Sequence, residues 1–412
     1  MIVARIHPFR PVPSRTISSL LAVCVALSPV FLRAENAPAF RTDDGKDKTL
    51  PWYKLVDGRF PPPNSAHAIS GELIKVDHLE RRFYLRVDRS DTQDRGVFDL
   101  ALDGVMLPYG AIYFHGAPAA LQDIPLGTHL HGLFYLKTPG DHEPPPPGPY
   151  RRVTPEGDFR RCFQLEDDFS HCARKNEIWK IDSVNLAEKK LTATLQHDGA
   201  AVGAPKLFDL LSSTSVFVGN GFGSLESLKP GQTAQFNITW ATLYGPGRVL
   251  EIWIDEPSRQ LAIAQQLERH RNHIRERGLP GWVEAVDDDA QIVTITFFGG
   301  VDPKLFEELK GINPEPFGWP LNKPEDDPLK PKGTIAVARD SLMTYDPLND
   351  RKGGNILSIG QVPIEPGSSG VQIKVKCDLL LEGYRPKHIV RFYPAPWKVT
   401  ALPREELFNG RE

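Results

Sequence analysis

Gly71-Glu-Leu-Ile-Lys-Val-Asp-His-Leu-Glu-Arg-Arg-Phe-Tyr-Leu-Arg-Val87 aligns without a gap on Trp179-Lys-Ile-Asp-Ser-Val-Asn-Leu-Ala-Glu-Lys-Lys-Leu-Thr-Ala-Thr-Leu195. A third copy runs from Gly281 through Val286 and Asp287 to Ile295 and Phe297. Val76, Val184 and Val286 coincide, each followed at once by a turn residue: Asp77, Asn185 and Asp287. Beyond the turn stand the alternating apolar sets Phe83/Leu85/Val87, Leu191/Ala193/Leu195 and Val293/Ile295/Phe297. Period-two alternation on both sides of a polar turn is the pattern of a β-hairpin with one buried face. Asp and Asn suit such a turn because their side chains bond the backbone N–H groups that follow. The valine anchors lie 108 and 102 residues apart, a domain-sized spacing.

A second element repeats downstream. Phe98-Asp-Leu100 matches Phe208-Asp-Leu210, and Leu121-Gln-Asp-Ile-Pro-Leu-Gly127 matches Leu225-Glu-Ser-Leu-Lys-Pro-Gly231. Two apolar residues three apart, then a glycine, describe one helical turn closed before the next strand. A degraded third copy stands at Ile364-Glu-Pro-Gly367, separated from its hairpin by an insertion. Each unit therefore reads as two hairpin strands, a third strand, a helical turn and one or two closing strands. That order resembles the OB fold, a five-stranded Greek-key barrel. The whole pattern resembles uncharacterised exported proteins with tandem OB-like β-barrel modules. The resemblance implies a mainly β chain of three small OB-like (Greek-key) barrels joined by helices and Pro-rich linkers; a small β-sandwich repeat is the competing architecture. Fold analogy of this kind implies no function.

Boundaries follow from the breaks in the pattern. Residues 1–34 read as a signal peptide and 35–66 as an extended lead-in. Module 1 spans 67–138 and a Pro-rich linker 139–158. A helix over Cys162–Lys175 introduces module 2 within 159–256. Residues 257–280 hold a connecting helix, with Leu261, Ile263, Ala264, Leu267 and Ile274 mostly on one face. Module 3 spans 281–399 with an insertion at 299–333 that carries a short helix over Pro303–Lys310, and 400–412 form a tail.

The leader assignment rests on Arg5, Arg10 and Arg15 ahead of an apolar run from Ile17 to Leu32, then Ala34. Ser18, Ser19, Ser28 and Pro29 interrupt that run, so it is a poor membrane span. The expectation is export to the periplasm, cell surface or medium, with no stable span after cleavage. Without the leader, 45 Lys and Arg face 52 Asp and Glu, a net charge of −7. An acidic chain is a poor partner for nucleic acid, whose phosphates demand clustered cations. Cys162, Cys172 and Cys377 survive cleavage. Ten residues of helix would separate the first two by about 15 Å, too far for a disulfide, so buried thiols are expected.

Candidate sites are few. His129-Leu-His131 puts two imidazoles on one face of a strand. His115, on the strand before, is the natural third ligand for zinc or copper. Thr233 and Gln235 occupy the matching positions of module 2, so the fold itself does not require histidine there. Two acidic runs, Glu166-Asp-Asp168 and Asp287-Asp-Asp289, lack calcium-loop spacing and read as solvated turns. No Gly-x-Ser-x-Gly elbow or phosphate-loop pattern occurs. Trp319, Tyr109 and Tyr113 are the aromatics expected to meet a ligand, Trp319 because its Pro-rich loop should be exposed. Trp240 and Tyr244 are weaker candidates of the same kind. The expected function is that of a non-catalytic binding or scaffolding protein for a protein or polysaccharide partner. The alternatives are a metal-dependent enzyme or metal-binding protein centred on the three histidines, and an envelope structural component.

Overall fold

In the computed structural model, which describes residues 40–88, 101–138, 158–239, 247–310 and 331–408, the three aligned segments form hairpins of one register. Val76 pairs with Phe83, Val184 with Leu191 and Val286 with Val293. Each entering strand bulges at the same place: between Leu73 and Lys75, Ile181 and Ser183, Val283 and Ala285. Such a bulge bends the strand, which a small closed barrel requires. In every turn the Asx side chain accepts the N–H three residues on, from Glu80 at 3.2 Å, Glu188 at 3.1 Å and Ala290 at 2.9 Å. The residue that closes each turn, Arg81, Lys189 or Gln291, is left-handed with φ of 52°, 51° and 56°.

Barrel one comprises β1 (His67–Asp77), β2 (Arg82–Val87), β3 (Leu102–Phe114), the short β4 (Ala117–Pro118), β5 (His129–Leu136) and β6 (Phe159–Asp167). β1 pairs with β2 and β5, β2 with β3, and β6 closes the ring antiparallel to β5 and parallel to β3. Leu73, Phe83, Leu85, Leu130, Phe134 and Leu165 fill it. After the helix α1 (Asp168–Arg174) the same ring recurs in barrel two. Its strands are β7 (Glu177–Asn185), β8 (Lys190–His197), β9 (Ala200–Ala201), β10 (Lys206–Val218), β11 (Gly221–Gly223), β12 (Thr233–Thr239) and β13 (Gly247–Trp253). β10 and β13 supply the parallel closure.

Helix α2 (Glu256–Arg277) leads into β14 (Leu279–Asp287), β15 (Ile292–Phe298), a short α3 (Lys304–Glu307), β16 (Lys332–Val337), β17 (Arg351–Gln361), β18 (Ser368–Cys377) and β19 (Ile389–Pro394). These six strands close a barrel in which every pair is antiparallel. The protein is thus mainly β, with three small closed barrels. Barrels one and two share the OB strand order, while barrel three builds a different ring on the same hairpin. The glycine that closes this element keeps its left-handed backbone in all three copies, with φ of 91° at Gly127, 89° at Gly231 and 93° at Gly367, although only a simple turn precedes the third. The strands after the first two glycines pair with the entering hairpin strand, whereas β18, after Gly367, pairs with β15.

Two expectations change. The helix predicted over Cys162–Lys175 is helical only from Asp168; Phe159–Asp167 is the closing strand β6. A stretch free of Pro and Gly suits either state, and the open edges of β3 and β5 decide it. Module 1 therefore runs to Asp167, and residues 139–158 connect two neighbouring strands of one barrel instead of linking modules. Cys162, Cys172 and Cys377 are buried free thiols, though Cys162 is held on a strand and not on a helix. Residues 1–39, the Pro-rich stretch from Asp141 to Pro149 and the Phe98-Asp-Leu100 match lie outside the described residues. Among the described residues no helix is long and apolar enough to cross a membrane.

The second change concerns α2. Its buried stripe is Ser258, Ala262, Gln266, His270 and Ile274, spaced four apart; of the face predicted from apolar residues only Ile274 belongs to it. The helix lies against polar backbone, where Gln266 Nε2 donates to Pro118 O at 3.3 Å and His270 Nε2 accepts the Asp302 N–H at 3.3 Å. Burial lowers the His270 pKa to about 4 against the pull of Asp302 and Asp123, with Arg271 lowering it further. A histidine depressed on folding supports the native state fully above its unfolded pKa near 6.5 and loses that support as pH falls toward 4. Chemical denaturation at pH 7 and pH 4.5 should therefore show a loss, of which about 2 kcal/mol belongs to this group. His270→Gln should remove that share, and an unchanged pH profile in the variant would refute the assignment.

Barrels one and three meet over Leu107, Tyr109, Tyr135, Trp282, Phe298 and Ile389, with Tyr53, Leu55 and Phe60 of the lead-in packed among them. Phe60 lies 4.4 Å from Trp282 and Tyr109 5.5 Å from it, centroid to centroid.

Candidate metal centre

The site begins with β5. Its alternation sends His129 and His131 to one face, opposite Glu72 and Ser70 of β1. Facing them is Asp168, the first residue of α1. The preceding Asp167 caps that helix by accepting the Ser170 N–H at 2.9 Å, and this fixes where Asp168 points. His129 Nδ1 donates to Asp168 Oδ1 at 2.8 Å and His131 Nε2 donates to the same oxygen at 2.9 Å. The other carboxylate oxygen accepts the Ile238 N–H of barrel two at 3.0 Å. All three side chains thus present one ligand atom each within 4.8 Å of one another.

The outer contacts hold the rings in place. His129 Nε2 donates to Asp88 Oδ2 at 2.7 Å, and His131 Nδ1 lies 3.1 Å from Ser70 Oγ. His131 also stacks on His171, 3.8 Å between centroids, and His171 Nδ1 donates to Glu166 Oε1 at 2.7 Å. A carboxylate or hydroxyl behind each liganding imidazole is the arrangement that orients histidines toward a metal. Burial would lower the His129 pKa, but Asp168 and Asp88 outweigh it and raise the group to about 10. Burial dominates at His131 and leaves its pKa low despite Asp168. Asp168, though buried, is held well below the usual carboxylate range by the two histidines. The His129 side chain is 4% exposed and that of His131 25%, so the cluster opens on the His131 side.

His115 is not the third ligand. It sits in a left-handed turn after β3 with φ of 51°, and its Nε2 meets Glu251 Oε2 of barrel two at 3.0 Å. There it joins a buried junction in which Asn237 Nδ2 donates to Asp167 Oδ2 at 2.8 Å and to Glu251 Oε2 at 3.1 Å. The run Glu166-Asp-Asp168 is accordingly buried and bonded, not solvated, because it lies where barrel one meets α1 and barrel two. Asp287 to Asp289 are exposed on their turn as expected. Sequence reasoning missed Asp168, Asp88 and His171. The signal for Asp168 was the capping pattern, with an aspartate three residues before Ser170 placing its neighbour at a helix start.

The aromatic candidates divide. Tyr109 is 6% exposed and serves the contact between barrels one and three, so it is not a ligand platform. Tyr113 is half-buried. Its hydroxyl pKa is raised, by burial first and then by Glu166, with Arg174 pulling the other way. Trp319, Trp240 and Tyr244 lie outside the described residues.

A donor set of two imidazoles and a carboxylate suits zinc or copper(II). Three protein ligands with one side open leave a coordination position for water or a small ligand. No family model matches the chain, and no curated protein matches it. Among solved structures, a copper(II)-bound variant of CusF from Escherichia coli is 13% identical, covering 19% of this chain and 90% of its own, at a TM-score of 0.15. A cold-shock-domain segment of Unr from Drosophila is 11% identical, covering 56% of this chain and 78% of its own, also at 0.15. Likenesses this loose carry no argument about function, which rests on the site alone.

Proposed function

We propose that this protein is an exported, non-catalytic binding protein that holds one divalent transition-metal ion at the joint between its first two barrels. The convergence of His129 Nδ1, His131 Nε2 and an Asp168 oxygen within 4.8 Å carries the reading. Asp88 and Ser70 support it, because each orients a liganding ring from behind. The basic, then apolar, leader supports export. Copper(II) should bind more tightly than zinc, as nitrogen and oxygen donors generally dictate.

The test is metal loading followed by exhaustive dialysis and elemental analysis. One equivalent of copper or zinc is expected on the wild type and none on His129→Ala/His131→Ala, with circular dichroism confirming that the variant is folded. Asp168→Asn, which keeps the side-chain shape, should weaken binding at least tenfold. Wild type that retains no metal, or variants that retain as much as wild type, would remove the proposal and leave the cluster as a charged joint between barrels.

A further inference from the structure

A second cluster lies where barrel one, α2 and barrel three meet, away from the histidine–aspartate site. A cleft of about 120 Å³ opens there, walled by the β1–β2 turn, the C-terminal half of α2 and β19. Three guanidinium groups line it, those of Arg81, Arg277 and Arg391, together with the carboxylate of Glu406. Arg81 Nη2 donates to Leu107 O at 3.2 Å and Gly110 O at 3.1 Å. Arg391 donates through Nη1 to Gly278 O at 3.1 Å and through Nη2 to Leu342 O at 2.9 Å. The Nε atoms of both are buried without a partner. Among the described residues neither Arg81 nor Arg391 has a carboxylate within ion-pair distance.

Arg391 is buried and Arg81 half-buried, and cations so placed and held only by carbonyls are costly, with a counter-charge the usual remedy. The neighbouring Arg277 has one, a two-pronged pair with Glu406 at 2.6 Å through each of two nitrogens, so Glu406 is already engaged. Burial, and for Arg81 the proximity of Arg391, lowers the pKa of both cations to about 10, which still leaves them charged at neutral pH. His270 and His273 face the same space from α2. His270 Nε2 accepts a backbone N–H, so its own hydrogen sits on Nδ1. Ile112, Leu121, Ile274, Val301 and Leu402 supply the apolar part of the wall, beside the polar side chains of His78, Gln122, Ser341 and Thr344. Arg81 is not demanded by the turn it closes, since Lys189 and Gln291 occupy the same position in the other hairpins.

We propose that this cleft binds a small organic carboxylate, its head group received by Arg81 and Arg391 and its short carbon body by the apolar wall. Guanidinium forks match a planar carboxylate. The volume admits a body of only a few carbons, and the apolar wall favours such an acid over bare phosphate. The proposal stands independently of the metal reading.

Calorimetric titration of the intact protein with propionate, butyrate, inorganic phosphate and chloride at constant ionic strength tests it. Saturable one-to-one binding of propionate or butyrate, at least tenfold tighter than phosphate, is expected. Arg81→Gln and Arg391→Gln should each weaken it tenfold or more, and Arg81→Lys, which keeps the charge but not the fork, by less. Thermal melts without ligand establish that each variant is folded. If Arg391→Gln does not fold, the two Arg81 variants decide. Binding no stronger than chloride, preferential binding of phosphate, or undiminished butyrate affinity in Arg81→Gln would each overturn the proposal.

Discussion

Asp168→Ala is expected to lower the free energy of unfolding by about 3–5 kcal/mol, measured by urea denaturation at neutral pH in the absence of added metal. The loss is large because Asp168 serves three donors at once: His129, His131 and the Ile238 N–H of the next barrel. Its removal leaves His129, 3% exposed, with Asp88 as its one remaining carboxylate. Breaking one side of a buried charge pair costs far more than the pair itself contributes, since the surviving charge stays in place without water. His129→Gln/Asp168→Ala should therefore cost markedly less than the sum of the single changes. A loss below about 1 kcal/mol for Asp168→Ala, or strict additivity in the double variant, would show that the network is peripheral.

The second large effect is expected at Trp282. This side chain is 5% exposed and packs on Phe60, Tyr109 and Phe298, so three segments of the chain converge on it. Truncating a buried aromatic to alanine costs about 3–5 kcal/mol through lost transfer energy and the cavity left behind. Because the void lies between barrels one and three, cooperativity should suffer as well as stability. Differential scanning calorimetry of Trp282→Ala is expected to resolve two transitions where the wild type shows closer coupling. A variant that melts in the same single transition as wild type, within a degree, would mean the contact couples nothing.

The hairpins were legible because two independent signals coincide there: alternation with period two, and an Asx residue at the turn. Both reflect local physics and survive without knowledge of the rest of the chain. β6 was not legible, since Arg160 and Arg161 break its alternation and its strand state comes from two distant open edges. The third barrel's ring was hidden for the same reason, because its shared hairpin says nothing about which strand follows Gly367. Within the site, the facing of His129 and His131 followed from strand geometry alone. The partner did not: Asp168 lies in a run of acids whose composition suggests solvent, and only the burial of α1 between barrels reverses that. His115 failed as a ligand because its turn backbone directs the ring toward barrel two. The polar stripe of α2 escaped a search for apolar periodicity, since its neighbours offer carbonyls and N–H groups as well as hydrocarbon.

The connection between β5 and β6 has a consequence for how barrel one tolerates change. Leu136 and Phe159 sit opposite each other on adjacent strands, so residues 137–158 begin and end at neighbouring points of a finished ring. Closing such a loop costs only logarithmically more as it lengthens, about 0.6 kcal/mol for each doubling. Its proline content and length can therefore drift, or accept an inserted peptide, without disturbing the ring. The ring itself has no such freedom. A polypeptide that stops at 138 would leave the edges of β3 and β5 bare and would omit Asp168 altogether. The natural unit for dissecting or transplanting the histidine–aspartate cluster thus ends beyond α1, with the connection between β5 and β6 as the place where closure entropy constrains length least.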